Sequence, residues 1–359
     1  MNFQASEKAQ QFKVKVRDFI DQFIIPIEQE ILDEIHIRNA AGDWTKWQVS
    51  EQVKSLKAKA KAEGLWNLFL PDSNLGAGLT NAEYAIIAEE MGRSILAPDI
   101  FNCNAPDTGN MEVLWKYGTD FQKDKWLQPL LEGEIRSAFC MTEPDVASSD
   151  ATNMEASAII EGDEIVLNGR KWWSTGIGHP DCKIIIFMGK TFSDTARHQQ
   201  HSMVLIPVNT PGVKIERMLT AFGEYDEPYG HGEVTFKDVR VPLSHMILGA
   251  GRGFEIAQGR LGPGRIHHCM RCIGAAERAM ELLIDRAKNR IAFGQPIIEL
   301  GANREKIADL RIAIDQARLL TLFAAWKIDQ YGASKSMMEI SQIKVVAPNV
   351  LQKVVDEAI

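Results

Sequence analysis

Two short stretches of the chain combine aromatic, hydroxyl and turn-forming residues in a pattern that suits a planar ligand. The first runs from Phe139 to Asp150 (FCMTEPDVASSD), where a short apolar run passes into a loop rich in turn formers. The second runs from Gly169 to Gly176 (GRKWWSTG) and places two tryptophans beside two hydroxyls. A planar ligand needs an aromatic wall on one face and a few placed donors for its heteroatoms. The two stretches together predict such a binding site.

The residue types alone also fit a plainer interpretation. In it, the first stretch is a loop held by its own Asx and Ser/Thr turns, and Trp172 and Trp173 are core residues. Spacing alone does not decide between the two interpretations.

The spelling of the two stretches resembles a known family. Thr142-Glu143-Pro144 followed by a Ser-Asp pair, and then Gly-x-Lys-x-Trp-x-Thr-Gly, is similar to the flavin-binding middle domain of the acyl-CoA dehydrogenases. The fuller spelling TEPDVASSD with Trp-Trp-Ser resembles one subgroup, whose animal members include proteins fused to an aminoglycoside-phosphotransferase-like kinase domain. The resemblance runs through essentially the whole chain in order. It implies an enzyme that uses FAD as its cofactor and an acyl-CoA as its substrate.

The resemblance assigns flavin contacts to residues of both stretches. It implies that Met141 and Thr142 meet the pyrimidine side of the isoalloxazine ring, that Trp173 covers one face, and that Thr175 bonds near N5. It places Ser149 against phosphate or substrate. Hydrogen-bond donors at N1, O2, O4 and N5 of the ring stabilise the negative charge that a flavin acquires on reduction. The implied cofactor contacts in the two stretches are Phe139, Met141, Thr142, Ser149, Trp173, Ser174 and Thr175.

A further motif, Arg290-Ile291-Ala292-Phe293-Gly294, ends a predicted helix. An arginine in a last helical turn usually complements the helix dipole. The resemblance implies instead that Arg290 and Phe293 reach across a subunit interface to the FAD pyrophosphate of a neighbour, which a guanidinium fork suits. The protein is therefore expected to be a homodimer or homotetramer.

The stretch from Gly262 to His268 (GPGRIHH) reads as the start of a long helix, and Pro and Gly there are ordinary N-terminal punctuation. The resemblance implies that Gly264 and Arg265 lie at the acyl-CoA site, together with Ser149. In some family members the catalytic glutamate immediately precedes this arginine, but here the position is Gly264. Other members carry the base on a loop after a Gln-x-x-Gly-Gly segment, and neither occurs up to Ile359. We therefore assign no catalytic residue within the chain and expect the base beyond residue 359.

Composition narrows the classes of partner. Of the 359 residues, 45% are hydrophobic and 25% charged, and the formal net charge is −8, which disfavours nucleic acid. No apolar run approaches the roughly 20 residues that a membrane span needs. The N-terminus lacks signal-peptide features, and five scattered cysteines favour a reducing compartment. We expect a soluble, cytoplasmic, bacterial-type enzyme.

Three other signals favour structural roles. Cys269-x-x-Cys272 has no second cysteine pair, so it predicts buried thiols and no metal site. His198 and His201 lie in or beside a polar insertion and are expected to face solvent. The run from Tyr225 to Gly232 (YDEPYGHG) resembles the subgroup's loop near the substrate entrance, and no role follows from its residues.

The periodicity of the sequence predicts an α+β chain with three domains. Residues 1–134 form an N-terminal helical domain, residues 135–244 a middle antiparallel β-barrel that carries the flavin and substrate sites, and residues 245–359 a C-terminal helical bundle, incomplete at its end. This order is that of the acyl-CoA dehydrogenase fold. The strands predicted in the middle domain are Ser157–Ile160, Glu164–Leu167, Lys183–Met188, Met203–Ile206, Val213–Glu216 and Glu233–Phe236.

The limits of the helices are predicted from residues that break or cap helices. Pro26 marks a break in the first amphipathic helix, and Thr80 with Glu83 makes a capping box for a later one. In the last domain, one long helix is expected to open at Gly262 and a second to run from Asn303 to Tyr331.

These expectations combine into one leading hypothesis and two alternatives. The leading hypothesis is FAD-dependent α,β-dehydrogenation of an acyl-CoA to the trans-2-enoyl-CoA in fatty acid β-oxidation, with electrons passed to an electron-transfer flavoprotein. One alternative is a flavin oxidase or monooxygenase on the same fold, whose reduced flavin reoxidises rapidly in air. The other is a catalytically silent protein that binds acyl-CoA or flavin and lacks the base. No spacing indicates the length or branching of the acyl group.

Overall fold

The computed structural model describes residues 5–39 and 43–359. Internal contacts divide the chain into two compact units, each described by itself. Unit 1 comprises Met1–Glu28, Leu56–Cys103 and Leu261–Ile359, and unit 2 comprises Gln29–Ser55 and Asn104–Arg260. The α-helices are α1 Glu7–Phe19, α2 Glu28–Asn39, α3 Glu51–Ala62, α4 Asn81–Met91, α5 Ala97–Ile100, α6 Asp107–Tyr117, α7 Asp120–Gln122, α8 Gln128–Glu132, α9 Gly253–Asn289, α10 Asn303–Tyr331 and α11 Met337–Ala358. The strands are β1 Arg136–Cys140, β2 Ser157–Glu161, β3 Glu164–Thr175, β4 Cys182–Lys190, β5 His201–Pro207, β6 Val213–Leu219, β7 His231–Pro242, β8 Met246–Ile247, β9 Ile291–Ala292 and β10 Gln295–Pro296.

The chain around Pro26 passes from α1 to α2 without losing its helical course. Val16 and Phe19 of α1 and the following Ile20 are buried. The predicted break at Pro26 coincides with a 3-10 turn at Ile25–Ile27, which follows a π-helical turn at Ile20–Ile24 and separates α1 from α2. Proline is tolerated there because it occupies the first turn of the 3-10 segment, where no intrahelical donor is needed.

The start of α4 is fixed by side chains from two directions. Thr80 and Glu83 form the predicted capping box, each bonding to the other's backbone N–H. The Asp329 carboxylate on α10 accepts hydrogen bonds from the backbone N–H groups of Asn81 and Ala82, both at 2.9 Å. These contacts satisfy the donors that a helix N-terminus leaves unpaired.

Two glycines let α4 and α9 approach closely in unit 1. A Cβ on Gly274 of α9 would lie 1.8 Å from the Glu89 carbonyl oxygen, and one on Gly92 would lie 2.2 Å from the Arg271 carbonyl oxygen. Both neighbours are backbone atoms, which cannot move aside without displacing a helix. The absence of side chains at these positions therefore sets the distance between the helices.

We expect Gly274→Ala to lower the free energy of unfolding by about 2–3 kcal/mol, because the added methyl overpacks two helix backbones. Gly264→Ala is the matched control on the same helix, since a Cβ added at Gly264 would meet nothing within 4 Å. That change should be neutral or stabilising by up to about 1 kcal/mol. Urea denaturation measures both, and equal effects of the two substitutions would contradict this explanation of the helix spacing.

The strands of unit 2 form one sheet in the order β6-β7-β3-β2-β4-β5-β8, with β1 paired to β4. Most neighbours are antiparallel, but β1–β4 and the short β2–β4 contact are parallel. The sheet is therefore mixed, and the predicted antiparallel arrangement is wrong for these two pairs. Its buried face is lined by apolar side chains such as Ile185, Phe187, Val204 and Phe236. The predicted α+β class, with a β-sheet region between helical regions, is confirmed.

The predicted strands all exist, and several are longer than predicted. The largest differences are in β3 and β7, each of which has 12 residues where four were predicted, and β3 continues from Leu167 through the second motif to Thr175. Both motifs of the candidate site therefore border the sheet directly: β1 ends at Cys140, just before Met141, and β3 carries residues 169–175.

In the last third, α10 spans Asn303–Tyr331 as predicted, but α9 begins at Gly253 and contains Pro263 in its interior. The predicted helix start at Gly262 is therefore wrong. Buried Ile256 and Ile266 continue the apolar face across the proline, and such packing outweighs one lost hydrogen bond. The domain limits at 134/135 and 244/245 remain predictions. Among the described residues, no helix is both long and apolar enough to cross a membrane.

Candidate functional site

A bulge in β3 turns Trp173 out of the sheet pattern. The pairing of β3 with β7 skips a step between Lys171 and Ser174. Trp173, inside the skip, has a φ of +50° and a side chain that is 41% exposed. Bulges of this kind re-aim side chains at functional sites, and a non-glycine residue in this backbone region is uncommon. The plainer interpretation of Trp173 as a core residue is therefore wrong.

A buried ion pair joins the two motifs. The Lys171 ammonium lies 2.7 Å from Glu143 Oε1 and 2.9 Å from the Met141 carbonyl oxygen. The same carboxylate accepts hydrogen bonds from the N–H groups of Glu155 at 2.8 Å and Ala156 at 3.0 Å. Burial lowers the pKa of Lys171, and the neighbouring Glu143 opposes that effect. The pair therefore sets the position of the loop that follows β1.

The backbone ties the motifs together a second time. The Trp172 N–H donates to the Thr142 carbonyl oxygen at 3.0 Å. The carbonyl oxygens of Met141 and Thr142 are thus both occupied by groups on β3. The hydroxyls of Thr142 and Thr175 are half-buried at this edge. An indole beside two hydroxyls suits a planar ring with polar heteroatoms, so these residues fit a flavin.

Thr175 is linked to a histidine that the sequence did not suggest. Its Oγ1 lies 2.9 Å from Nδ1 of His231, the residue opposite it on β7. The other ring nitrogen of His231, Nε2, lies 3.5 Å from the Asp226 carboxylate. The Trp173 indole packs against the same imidazole, with ring centroids 5.9 Å apart. Three side chains of the site therefore meet at His231.

Phe139, on β1, has an arginine against its ring. The Arg260 guanidinium lies 3.9 Å from the ring centroid, and its Nε donates to Asn110 Oδ1 at 3.2 Å. Gly109 leaves room for it, because a Cβ there would lie 3.0 Å from the guanidinium carbon. Burial lowers the pKa of Arg260 to about 10 and raises the pKa of the nearby Glu112 carboxyl to about 8. This corner of the site is weakly solvated and holds the Arg260 cation near the weakly acidic Glu112 carboxyl.

We expect Glu112→Gln to change how stability depends on pH. Between the usual pKa of 4.5 and about 8, folded wild-type protein keeps a proton that the unfolded chain releases. Its unfolding free energy therefore falls with rising pH, by at most about 1.4 kcal/mol per unit. Glutamine does not titrate, so the variant lacks this loss. The unfolding free energy of the variant minus that of the wild type should therefore increase from about pH 5 to about pH 8 in urea denaturation. Glu134→Gln, at an exposed position, is the control; a pH-independent difference for Glu112→Gln would contradict the expectation.

The remaining predicted site residues lie apart from this edge. Ser149 is exposed in the loop before β2, next to Asp150, whose carboxylate pairs with Arg197 at 2.5 Å. The Ser174 side chain is fully buried near the Cys140 thiol. Unit 2 thus brings Phe139, Met141, Thr142, Trp173, Ser174 and Thr175 together around the ends of β1 and β3.

Four predicted residues belong to unit 1. Gly264 and Arg265 are half-buried on α9. Arg290 is exposed directly after α9, and Phe293 lies at the tip of the β9–β10 hairpin with a φ of +50° and a side chain that is 96% exposed. An aromatic ring held almost wholly in solvent is unusual for a folded chain.

The sequence missed contacts that depend on pairing between distant strands. Lys171 and Glu143 stand inside the motifs, but nothing in the sequence showed that they meet in the core. The expectation that His201 faces solvent is wrong: it is 1% exposed, and its Nε2 lies 3.0 Å from the Met154 carbonyl oxygen. The prediction failed because His201 was grouped with the neighbouring polar insertion, whereas it is the first residue of the buried strand β5. The cysteine expectation holds in part, since Cys269 is buried and Cys272 half-buried, and both are free thiols.

Comparisons with known proteins agree with this arrangement. Profiles of the acyl-CoA dehydrogenase N-terminal, middle and C-terminal domains match residues 6–134, 138–239 and 251–359. Acyl-CoA dehydrogenase family member 11 of Gallus gallus is 54% identical over 359 residues, which are 99% of this chain and 46% of that protein. The solved structure of a Mycobacterium abscessus relative is 58% identical with a TM-score of 0.95, covering 99% of this chain and 88% of the other. Butyryl-CoA dehydrogenase of Megasphaera elsdenii is 26% identical with a TM-score of 0.81, covering 100% and 88%.

In chain order, a β-sheet region lies between two helical regions, and one edge of that sheet holds the Trp173 indole beside the hydroxyls of Thr142 and Thr175. The chain belongs to the acyl-CoA dehydrogenase family. Family member 11 falls in the kinase-fused animal subgroup that the motif spelling predicted. The chain spans about half the length of the curated relatives of this name.

Proposed function

We propose that this protein is an FAD-dependent acyl-CoA dehydrogenase. It would convert a saturated acyl-CoA thioester to the trans-2-enoyl-CoA by removing a proton from the α-carbon and a hydride from the β-carbon. The observation that carries the proposal is Trp173, which the bulge in β3 turns outward beside the hydroxyls of Thr142 and Thr175. Membership of the acyl-CoA dehydrogenase family supports the same cofactor and reaction class.

FAD, when bound, supplies the two-electron acceptor, and the protein supplies position and electrostatics. In this proposal Trp173 forms the wall for one ring face, and the hydroxyls of Thr142 and Thr175 bond to the ring's polar edge. The Lys171–Glu143 pair holds the Met141–Thr142 backbone in place, so donors need not reorganise when charge develops. The weakly solvated corner at Phe139 and Arg260 strengthens these interactions.

The proposal also includes contacts to the substrate and to the FAD pyrophosphate. We assign Gly264, Arg265 and Ser149 to the acyl-CoA, and Arg290 and Phe293 to the FAD of a neighbouring subunit in a homodimer or homotetramer. The exposure of Phe293 supports this, since contact with a second subunit would bury the ring. The proposed α-proton base is a carboxylate, a role that we assign to none of residues 1–359, and the proposed electron acceptor is an electron-transfer flavoprotein.

The test is the absorbance of the purified full-length protein before and after anaerobic addition of saturated acyl-CoAs of graded chain length. We expect flavin bands near roughly 450 nm that bleach on addition. Slow reoxidation in air with rapid reoxidation by an electron-transfer flavoprotein would support the dehydrogenase. Rapid reoxidation by air alone would indicate an oxidase or monooxygenase instead. Bound flavin that no acyl-CoA bleaches would contradict the proposal and indicate a silent binder.

A further inference from the structure

The loop and strand start from Asp226 to His231 place an imidazole behind the hydroxyl of Thr175. Strand pairing sets Thr175 opposite His231, and their side chains meet at 2.9 Å between Oγ1 and Nδ1. Two hydrogen bonds close this loop, since the Asp226 carbonyl oxygen accepts the N–H groups of Tyr229 and Gly230, both at 3.0 Å. Asp226 itself has a φ of +58°. This tight turn returns the Asp226 carboxylate to within 3.5 Å of His231 Nε2.

The two neighbours of the imidazole decide which nitrogen carries its proton. A carboxylate beside Nε2 favours the tautomer with hydrogen on Nε2, as for orienting carboxylates at metal-bound and catalytic histidines. In that neutral tautomer Nδ1 has a lone pair and no hydrogen. Nδ1 then accepts the hydrogen bond, so the Thr175 hydroxyl must donate its only proton to His231.

A hydroxyl whose proton points to the imidazole offers only lone pairs to anything on its other side. A flavin ring nitrogen that accepts a hydrogen bond when oxidised carries hydrogen when reduced. The lone pairs of Thr175 therefore favour the reduced ring, whereas a freely rotating hydroxyl would also serve the oxidised ring.

We propose that His231, oriented by Asp226, is a positioning residue that turns the Thr175 hydroxyl into a hydrogen-bond acceptor toward the flavin and so favours the reduced cofactor. The inference rests on the proposed function and gives a role to the Tyr225–Gly232 run, for which the sequence offered none. Trp173 packs on the same imidazole, with 5.9 Å between ring centroids. The Trp173 indole and the Thr175 hydroxyl are therefore both in contact with His231.

The test compares His231→Leu with His231→Asn. Leucine removes the acceptor, whereas the asparagine Oδ1 stands near the position of Nδ1 and keeps it. We expect His231→Leu to reduce the preference for reduced over oxidised flavin about tenfold, which lowers the two-electron midpoint potential by about 30 mV. His231→Asn should stay within a third of that shift. Spectroelectrochemical titration of the flavin-loaded protein measures the potentials, and urea denaturation records stability in parallel.

A double-mutant cycle with Thr175→Val shows whether the effect passes through the hydroxyl. In the valine background, His231→Leu should no longer change the potential. An equal shift in that background, no shift in the wild-type background, or equal shifts for leucine and asparagine would overturn the proposal. A purely structural cross-strand pair would lower stability in both backgrounds and leave the potential unchanged.

The tautomer itself is measured on the flavin-free protein by NMR of ¹⁵N-labelled histidine, with the His231 signal assigned from its loss in His231→Asn. We expect hydrogen on Nε2, and a proton on Nδ1 would overturn the proposal. This readout separates the two claims. Wild-type protein that binds no flavin refutes the proposed function, whereas a flavin-binding protein with the wrong tautomer or an unchanged potential refutes only the role of His231.

Discussion

Lys171→Met should lower the free energy of unfolding by about 3–5 kcal/mol, the largest stability loss that we expect at the site. Lys171 is fully buried, and Glu143, its partner at 2.7 Å, is 6% exposed. Methionine fills similar space but leaves the carboxylate without a cation in a place that water does not reach. The Met141 carbonyl also loses its bond to the ammonium. We therefore expect weaker flavin binding together with the lower stability, measured by urea denaturation and by FAD titration.

Two controls separate the charge effect from general damage to the sheet. Lys183→Met removes an exposed lysine on β4 and should change stability by no more than about 0.5 kcal/mol. Adding Glu143→Gln to Lys171→Met removes the unpaired charge while keeping an acceptor for the backbone N–H groups of Glu155 or Ala156. The double variant should therefore be more stable than Lys171→Met alone. A double variant that is less stable would show that the ion pair is not the source of the loss.

Trp173→Ala should weaken FAD binding roughly 10- to 100-fold, because stacking of a planar ring on an indole contributes about 1–3 kcal/mol. The side chain is 41% exposed, so its removal costs the fold little buried area. Unfolding of the flavin-free protein should accordingly change by less than about 1 kcal/mol. Fluorescence titration with FAD gives the affinity, and denaturation without FAD gives the stability.

Trp173→Phe and Trp173→Gly complete this series. Phenylalanine keeps an aromatic wall and should retain most of the affinity. Glycine suits the φ of +50° at this position and removes any backbone strain, yet it should lose affinity as alanine does. If glycine binds FAD as tightly as the wild type, the indole is not the wall of the site.

Much of the fold could be predicted from local patterns. Helix limits were predicted correctly where residues close in sequence determine them. Thr80 with Glu83 starts α4, and α10 spans Asn303–Tyr331 as predicted. The error at the start of α9 occurred where packing outweighs a local signal. Pro263 lies inside α9, and Ile256 and Ile266 on either side of it are buried.

The candidate site divides in the same way. The residue types of the two motifs indicated a planar ligand, because tryptophans and hydroxyls suit such a ligand whatever their exact positions. The bulge at Trp173, the buried Lys171–Glu143 pair and the His231–Thr175 contact all require the register between strands far apart in sequence. No spacing rule within one stretch contains that register. For the same reason the run from Tyr225 to Gly232 had no derivable role until β7 was placed beside β3.

The most direct test of the central claim is mass spectrometry of the acyl-CoA after one anaerobic turnover with the flavin-loaded, full-length protein. We predict an acyl-CoA that has lost two hydrogens, formed in equal amount to the flavin that bleaches, and a fragmentation pattern that places the new double bond between the α- and β-carbons. An acyl-CoA of unchanged mass beside flavin that remains oxidised, across short, long and branched acyl groups, would contradict the claim.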